Sequence, residues 1–307
     1  MAASITLQLD QTTQEQLISA YQKFAVTPPQ HATFAAKLPN VRITVYKSGK
    51  ILLQGANAET EAAKWETPTT KQKTTTSTTT NKLPNNFANL SVIGSDEVGN
   101  GSYFGPLVVC AAFVPHEQIA KLTALGVKDS KMLTDQKMQE LTPILKELIA
   151  YKVLVVTPEK YNNIQPKYNA VTMKSVLHNR AVALLEQQIA PLKADAILID
   201  QFTSQKHYQQ DIQNETPKPT TPVYMETKGE QHHIAVAAAS IIARTTFLDW
   251  LTEMSTKLQI TLPSGAGANV DQIAAQIIQQ DGLATLNQLA KLHFANTNKA
   301  KQIAKQN

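Results

Sequence analysis
Apolar and polar residues alternate from Ser4 to Leu9, which is the two-residue period of a strand with one buried face. From Thr13 to Phe24 the spacing becomes helical, and Val41 to Gln54 predicts two strands joined around Ser48-Gly49. Together these predict a small α+β unit with an open sheet. Thr67 to Asn86 is almost entirely Thr, Lys, Gln, Asn and Pro, with no apolar face to offset the entropy of ordering its backbone. It reads as a flexible, slightly basic linker, so the expected organisation is a domain at 1–66, a linker at 67–88 and a second domain at 89–307.

Beyond the linker, apolar runs predict strands at Ser91 to Asp96, Leu107 to Val114, Tyr151 to Val156, Ala194 to Asp200 and Val223 to Glu226. Helical spacing occupies Val171 to Ile189 and Ile234 to Leu251. Hairpin-like spacing comes first and helical crossovers follow, which predicts an α/β unit with a mixed sheet covered by helices. The tail, Val270 to Ile303, carries helical segments rich in Ala, Gln, Leu and Ile, in which no chemistry is legible.

A chain of 307 residues with 42% apolar content can bury one large core and spare a smaller second one. Its 29 basic against 24 acidic residues give a net charge of +5, a sign that suits a polyanion and equally a soluble basic enzyme. The single cysteine, Cys110, lies inside the run from Leu107 to Val114. One thiol can build neither a disulfide nor a thiolate metal site, so Cys110 reads as core in a reducing compartment. Met1 to Asp10 shows no basic segment followed by an apolar one, and no apolar stretch is expected to approach membrane-spanning length. A cytoplasmic protein with no membrane partner is expected, and nothing demands more than a monomer.

Four carboxylates stand out. Asp96 and Glu97 follow the apolar run Val92-Ile93-Gly94-Ser95 and precede Gly99-Asn100-Gly101, where missing Cβ atoms allow a sharp turn and close approach to a ligand. Successive strand residues face opposite sides, so both acids reach one metal cluster only if the strand bends or ends there. On residues alone, a solvated acidic turn is the more frequent meaning of such a pair. Asp200 closes Ala196-Ile197-Leu198-Ile199, a run apolar enough for a strand buried on both faces, and would emerge at the sheet edge where ligands collect. Glu230 belongs to Thr227-Lys228-Gly229-Glu230, a pattern that by itself favours a helix capping box. Carboxylates suit Mg²⁺ or Mn²⁺, and two such ions roughly 3.5–4 Å apart can stabilise the attacking and leaving oxygens of a phosphodiester displacement. Zinc-type Cys/His spacings and a nucleotide-binding Gly-x-x-x-x-Gly-Lys-Ser/Thr loop are both missing from the sequence. His232 and His233 are adjacent and point apart on a helix, so they receive no ligand role.

The run from Gly94 to Pro106, GSDEVGNGSYFGP, resembles the opening catalytic strand of the type 2 ribonucleases H. Its Tyr103-Phe104-Gly105-Pro106 ending resembles ribonuclease HIII in particular. The resemblance continues through Lys128-Asp129-Ser130-Lys131, Tyr168-Asn169-Ala170, His178-Asn179-Arg180-Ala181, Ile199-Asp200-Gln201-Phe202 and the helix from Ala235 to Arg244. It implies a ribonuclease H fold, with a mixed five-stranded sheet and flanking helices. Val45 to Lys50 and its position make the first segment similar to the family's TATA-binding-protein-like substrate-binding domain. Carried over, the metal-binding acids are Asp96, Glu97, Asp200 and Glu230, with Glu226 a nearby competitor for the last. The motif that contacts the RNA backbone falls on Gly99, Asn100 and Gly101, and Lys128 and Lys131 are candidate phosphate contacts. The implied partner is an RNA–DNA hybrid and the implied cofactor Mg²⁺ or Mn²⁺. The implied reaction is two-metal hydrolysis of the RNA strand to 3′-hydroxyl and 5′-phosphate ends. Two alternatives remain at this point: ribonuclease HII-like cutting at single embedded ribonucleotides, and a non-catalytic hybrid-binding protein.

Overall fold
The computed structural model describes residues 4–29, 32–46, 49–65, 83–127 and 132–306. The chain divides into two compact units, 1–78 and 79–307. Residues 67–82, most of the expected linker, lie outside the described residues, as do residue 66, Lys128 and Lys131.

In the first unit, β1 (Ser4–Gln8), β2 (Ala32–Leu38), β3 (Val41–Tyr46) and β4 (Lys50–Gln54) form an antiparallel sheet in the order β1-β4-β3-β2. Helices α1 (Gln11–Tyr21) and α2 (Ala58–Ala63) complete it. The strand period decides which face is buried: Val41, Ile43 and Val45 of β3 and Ile51 and Leu53 of β4 pack with Leu17 and Tyr21 of α1. Asp10 starts α1 by accepting a hydrogen bond from the Thr13 N–H at 2.9 Å. Sequence reading missed β2, because its three alanines blur the alternation that marks a strand. Lys47 and Ser48, part of the expected hairpin, lie outside the described residues.

The second unit holds a five-stranded mixed sheet in the order β7-β6-β5-β8-β9. Its strands are β5 (Val92–Val98), β6 (Leu107–Val114), β7 (Ala150–Val156), β8 (Ala196–Asp200) and β9 (Val223–Glu226). Neighbours β5, β6 and β7 are antiparallel, whereas β5, β8 and β9 are parallel. All eight residues of β6 are buried, because helices cover both faces of the sheet. The helices are α3 (Ile119–Ala124), α4 (Asp135–Leu148), α5 (Pro158–Ile164), α6 (Ala170–Ile189), α7 (Gln205–Asp211), α8 (Gly229–His232), α9 (Ile234–Leu258), α10 (Ala268–Leu289) and α11 (Ala295–Gln306). On one face Val108, Cys110 and Ala112 pack under α9, and on the other Val109, Ala111 and Phe113 pack under Ala181, Val182 and Leu185 of α6.

Helix α9 lies directly on the backbone of β5. A Cβ on Gly94 would fall 2.2 Å from the Ala235 carbonyl carbon and 2.3 Å from the Val236 nitrogen, which explains the glycine in the strand and the alanines in the helix. The expectation for apolar run length needs correction here. At 25 residues and a mean hydropathy of 1.4, α9 is long and apolar enough to cross a membrane. Two-thirds of that window is buried inside the unit, where it serves as the core helix.

Candidate active site
The alternation of β5 assigns its acids to different faces. Gly94 and Asp96 face α9, and the Ser240 hydroxyl hydrogen-bonds the Asp96 carboxylate. Ser95 and Glu97 face α6, where Ser95 Oγ lies 2.7 Å from Nδ1 of His178 and donates to the Cys110 carbonyl at 2.9 Å. The bend or end expected at Asp96 is not there: β5 continues to Val98, paired with Val108 of β6. Only its pairing with β8 stops early, at Ser95 opposite Ile199. The next residue on each of these parallel strands is an acid, Asp96 and Asp200, so the sheet places the two side by side.

Glu97 is held by base. Lys174 Nζ donates to its Oε1 at 2.8 Å, and His178 Nε2 lies 3.0 Å from its Oε2. Phe202, just past β8, supports both bases: its ring stacks on His178 with centroids 5.0 Å apart, and the Lys174 ammonium sits 4.3 Å above its centre. Burial alone would raise the Glu97 carboxyl, but His178 and Lys174 outweigh it and hold the acid down at about 2.

Asp96 goes the other way. Burial, followed by the charges of Glu97 and Asp200, pushes its carboxyl up to about 7 against the opposing Ser240 hydrogen bond. Crowded anionic oxygens of this kind suit a hard divalent cation, which prefers carboxylate ligands. Among the described residues, the side chains nonetheless form no ready cage of three or more His, Cys, Asp or Glu groups. Glu97, drawn to α6, shows why.

Asp200 accepts a hydrogen bond from the Gly229 N–H at 2.8 Å, which ties the α8 turn carrying the buried Glu230 to the end of β8. Glu226 stands opposite Asp200 in the β8–β9 register. The capping box read at Thr227 to Glu230 is not formed. Lys228, in the left-handed region at φ 57°, precedes α8 and makes no side-chain cap, so the chain turns once and restarts as α9. The actual cap of α9 is His233, whose Nδ1 accepts the Ala235 N–H at 3.1 Å while its Nε2–H donates to the Leu90 carbonyl at 3.1 Å. Burial lowers its pKa to about 4, so it stays neutral and keeps this role.

The turn after β5 is locally enforced. Gly99 has φ +96°, and a Cβ there would lie 2.1 Å from the Pro106 carbonyl oxygen; Gly101 faces open space. Sequence reading missed Ser95, Lys174, His178, Phe202 and Ser240. Ser95, His178, Phe202 and Ser240 lie inside motifs that the resemblance picked out, but without a role or a partner; only Lys174 lies outside them.

The elevated Asp96 carboxyl has a measurable consequence for the metal-free protein. A carboxyl whose folded pKa lies above its unfolded 3.8 withdraws stability as pH rises from about 4 to about 7, because over that range the folded state still holds a proton that the unfolded chain has released. A divalent ion must displace the same proton. Mn²⁺ affinity, measured calorimetrically, is therefore expected to climb by up to roughly tenfold per pH unit below 7 and to level off above it. A flat profile in the Asp96→Asn variant would assign the proton to this residue.

Comparison with known proteins identifies the family. The family model described as Ribonuclease HII matches residues 93–297, and Domain of unknown function (DUF3378) matches residues 4–78. Ribonuclease HIII of Enterococcus faecalis is 50% identical, with 99% of this chain and 100% of that one covered. Ribonuclease HIII of Listeria monocytogenes is 44% identical, with 99% of each covered. Among solved structures, Bst-RNase HIII in complex with Mn²⁺ is similar at 42% identity and a TM-score of 0.71, covering 99% of this chain and all of that one. The ribonuclease H2 of Pyrococcus horikoshii, at 24% identity and a TM-score of 0.60, covers 71% of this chain and shares the fold of that part. A family model matched over residues 93–297 and full-length relatives of one kind lead to one conclusion: the chain belongs to the ribonuclease HIII family.

Proposed function
We propose that the protein is an endonuclease that hydrolyses the RNA strand of RNA–DNA hybrids with the help of divalent cations. The observation that carries this reading is the register of the two parallel strands, which sets Asp96 and Asp200 side by side at the sheet edge, with Glu230 tied in through Gly229. Asp96, Asp200 and Glu230 are the residues that would hold Mg²⁺ or Mn²⁺, and Glu97, turned to the other face of β5 but close enough for its charge to act on Asp96, would join them only by swinging away from Lys174 and His178. Bound there, such ions supply Lewis acidity to the attacking and leaving oxygens of a phosphodiester. The chain's own contribution is orientation. Ser240 and the Glu97 N–H, which donates to Asp96 Oδ1 at 2.7 Å, fix Asp96, while Lys174 and His178 fix Glu97. Glu230, buried next to the Asp200 anchor, helps to orient the attacking water. The backbone of Gly99, Asn100 and Gly101 reads the ribose 2′-hydroxyl, a donor and acceptor that DNA lacks.

End chemistry tests this mechanism. Fragments of a uniform hybrid are expected to carry 5′-phosphate and 3′-hydroxyl ends, because water is the nucleophile. Ends bearing a 2′,3′-cyclic phosphate would mean that the RNA's own 2′-hydroxyl attacked, and would refute it.

In the N-terminal unit, the sheet face away from its helices exposes Lys37 and Arg42, paired across β2 and β3, together with Lys50. We assign to this face the docking of the hybrid backbone. Deleting residues 1–66 is expected to weaken hybrid binding by about tenfold or more and to flatten its salt dependence. Unchanged affinity would remove the assignment. The protein acts as a cytoplasmic monomer in this reading, in keeping with a lone cysteine buried in β6 and four acids supplied by one chain.

A further inference from the structure
Lys291 is fully buried, yet its ammonium faces no carboxylate among the ion pairs of the described residues. It lies between α10 and α11, in the tail where no chemistry is legible from the residues alone. Nζ donates to the Ser102 carbonyl at 2.8 Å and to the Gly105 carbonyl at 2.5 Å, and it sits 5.9 Å from the centre of the Tyr161 ring. Burial lowers its pKa to about 7, which marks an ammonium stripped of its water. A group so costly to bury must be held by its partners, and here those partners belong to one loop.

That loop is the glycine turn. The Ser102 N–H donates to the Gly99 carbonyl at 3.2 Å and closes the turn Gly99-Asn100-Gly101-Ser102, and the Ser102 carbonyl that Lys291 holds belongs to the very next peptide, so the lysine anchors the turn at the residue that closes it. The tail grips the loop at further points: the Lys291 N–H donates to the Tyr103 carbonyl at 2.9 Å, and the Gly105 N–H to the Leu289 carbonyl at 3.0 Å. Behind Lys291, Asn162 of α5 donates to the Ala290 carbonyl at 2.8 Å and accepts from the Leu292 N–H at 2.9 Å, anchoring the segment to the body of the unit.

We propose that Lys291 is a positioning residue that presents the Gly99-Asn100-Gly101 turn to the ribose of the RNA strand, and so sets the preference for hybrid over DNA duplex. The inference rests on the reading above that this turn touches RNA. Two variants separate the two statements. Gly101 has open space around its missing Cβ, so Gly101→Ala leaves the fold intact while placing a methyl on the contact surface. Lys291→Met keeps the apolar stem and removes the donors.

Binding of the full chain to a fluorescent hybrid and to the matching DNA duplex, both in chelator, gives the selectivity, and a Mn²⁺ titration reports the metal site separately. Both variants are expected to lower the hybrid-to-DNA affinity ratio by about tenfold, with Mn²⁺ affinity unchanged in Lys291→Met, and Lys291→Gln, which keeps two N–H donors, is expected to restore part of the loss. A merely structural lysine would lower the melting temperature and leave the ratio intact. If Gly101→Ala lowers the ratio and folded Lys291→Met does not, the positioning role is overturned while the turn reading stands. If Gly101→Ala leaves the ratio unchanged, the turn reading falls and the positioning role with it. Should Lys291→Met fail to fold, folded Lys291→Gln is read in its place: a hybrid-to-DNA ratio below that of the wild type supports the positioning role, and a full wild-type ratio overturns it.

Discussion

Asp96→Asn is expected to lower cleavage of a uniform hybrid by about three orders of magnitude or more, since losing a carboxylate proposed to anchor metal would remove several kcal/mol of transition-state stabilisation. Binding should persist. Asn keeps the shape of the side chain and can still accept from the Ser240 hydroxyl and the Glu97 N–H, so the turn and the sheet edge stay in place. Stability separates this loss from damage to the fold. Removing a buried carboxylate that neighbouring acids already disfavour should leave the metal-free variant at least as stable as the parent above pH 7, and the gain should vanish in acid. Single-turnover cleavage beside a thermal melt in chelator checks both parts. A variant that melts early would assign Asp96 to the fold, and one that cuts at the parental rate would remove it from the chemistry.

The largest effect on stability is expected at Gly94. In Gly94→Val the Cβ would lie 2.2 Å from the backbone of α9, where no side chain can rotate out of the way. Either the helix lifts from β5 or the strand leaves the sheet. Both routes open the larger core, at a cost of about 3 kcal/mol or more. A denaturant melt should show the loss, and cleavage should disappear with it, because Ser240 and the Asp96–Asp200 register depend on that contact. Wild-type stability in this variant would mean that α9 does not rest on β5 as described.

How much was legible depended on where each signal lay. The eight apolar residues of β6 announced a strand buried on both faces, and Asp200 at the end of a similar run announced an acid at the sheet edge. Periodicity could not show that Asp96 and Glu97 face different helices without a bend, because that depends on β6 pairing through Val98. Glu230 illustrates the opposite limit. Its local pattern spells a cap, and only the Gly229–Asp200 hydrogen bond, between residues 29 positions apart, shows what the turn is attached to. Lys174 and Lys291 escaped notice, and His178 received no role, for one reason: a lysine or histidine inside a helical or Ala-rich stretch looks solvated until its partners are known. Their partners are 77, 81 and 189 positions away, separations that no local pattern encodes.

The experiment to make first incubates the protein with a uniform RNA–DNA hybrid, an otherwise identical DNA duplex containing one ribonucleotide, and single-stranded RNA, each with Mg²⁺, Mn²⁺ or chelator. Cutting of the hybrid that requires metal, with the single-ribonucleotide duplex and single-stranded RNA left whole, is the expected result. Preferred cutting at the lone ribonucleotide would move the activity to the ribonuclease HII type, and binding without cleavage in either metal would contradict an enzymatic role for Asp96 and Asp200.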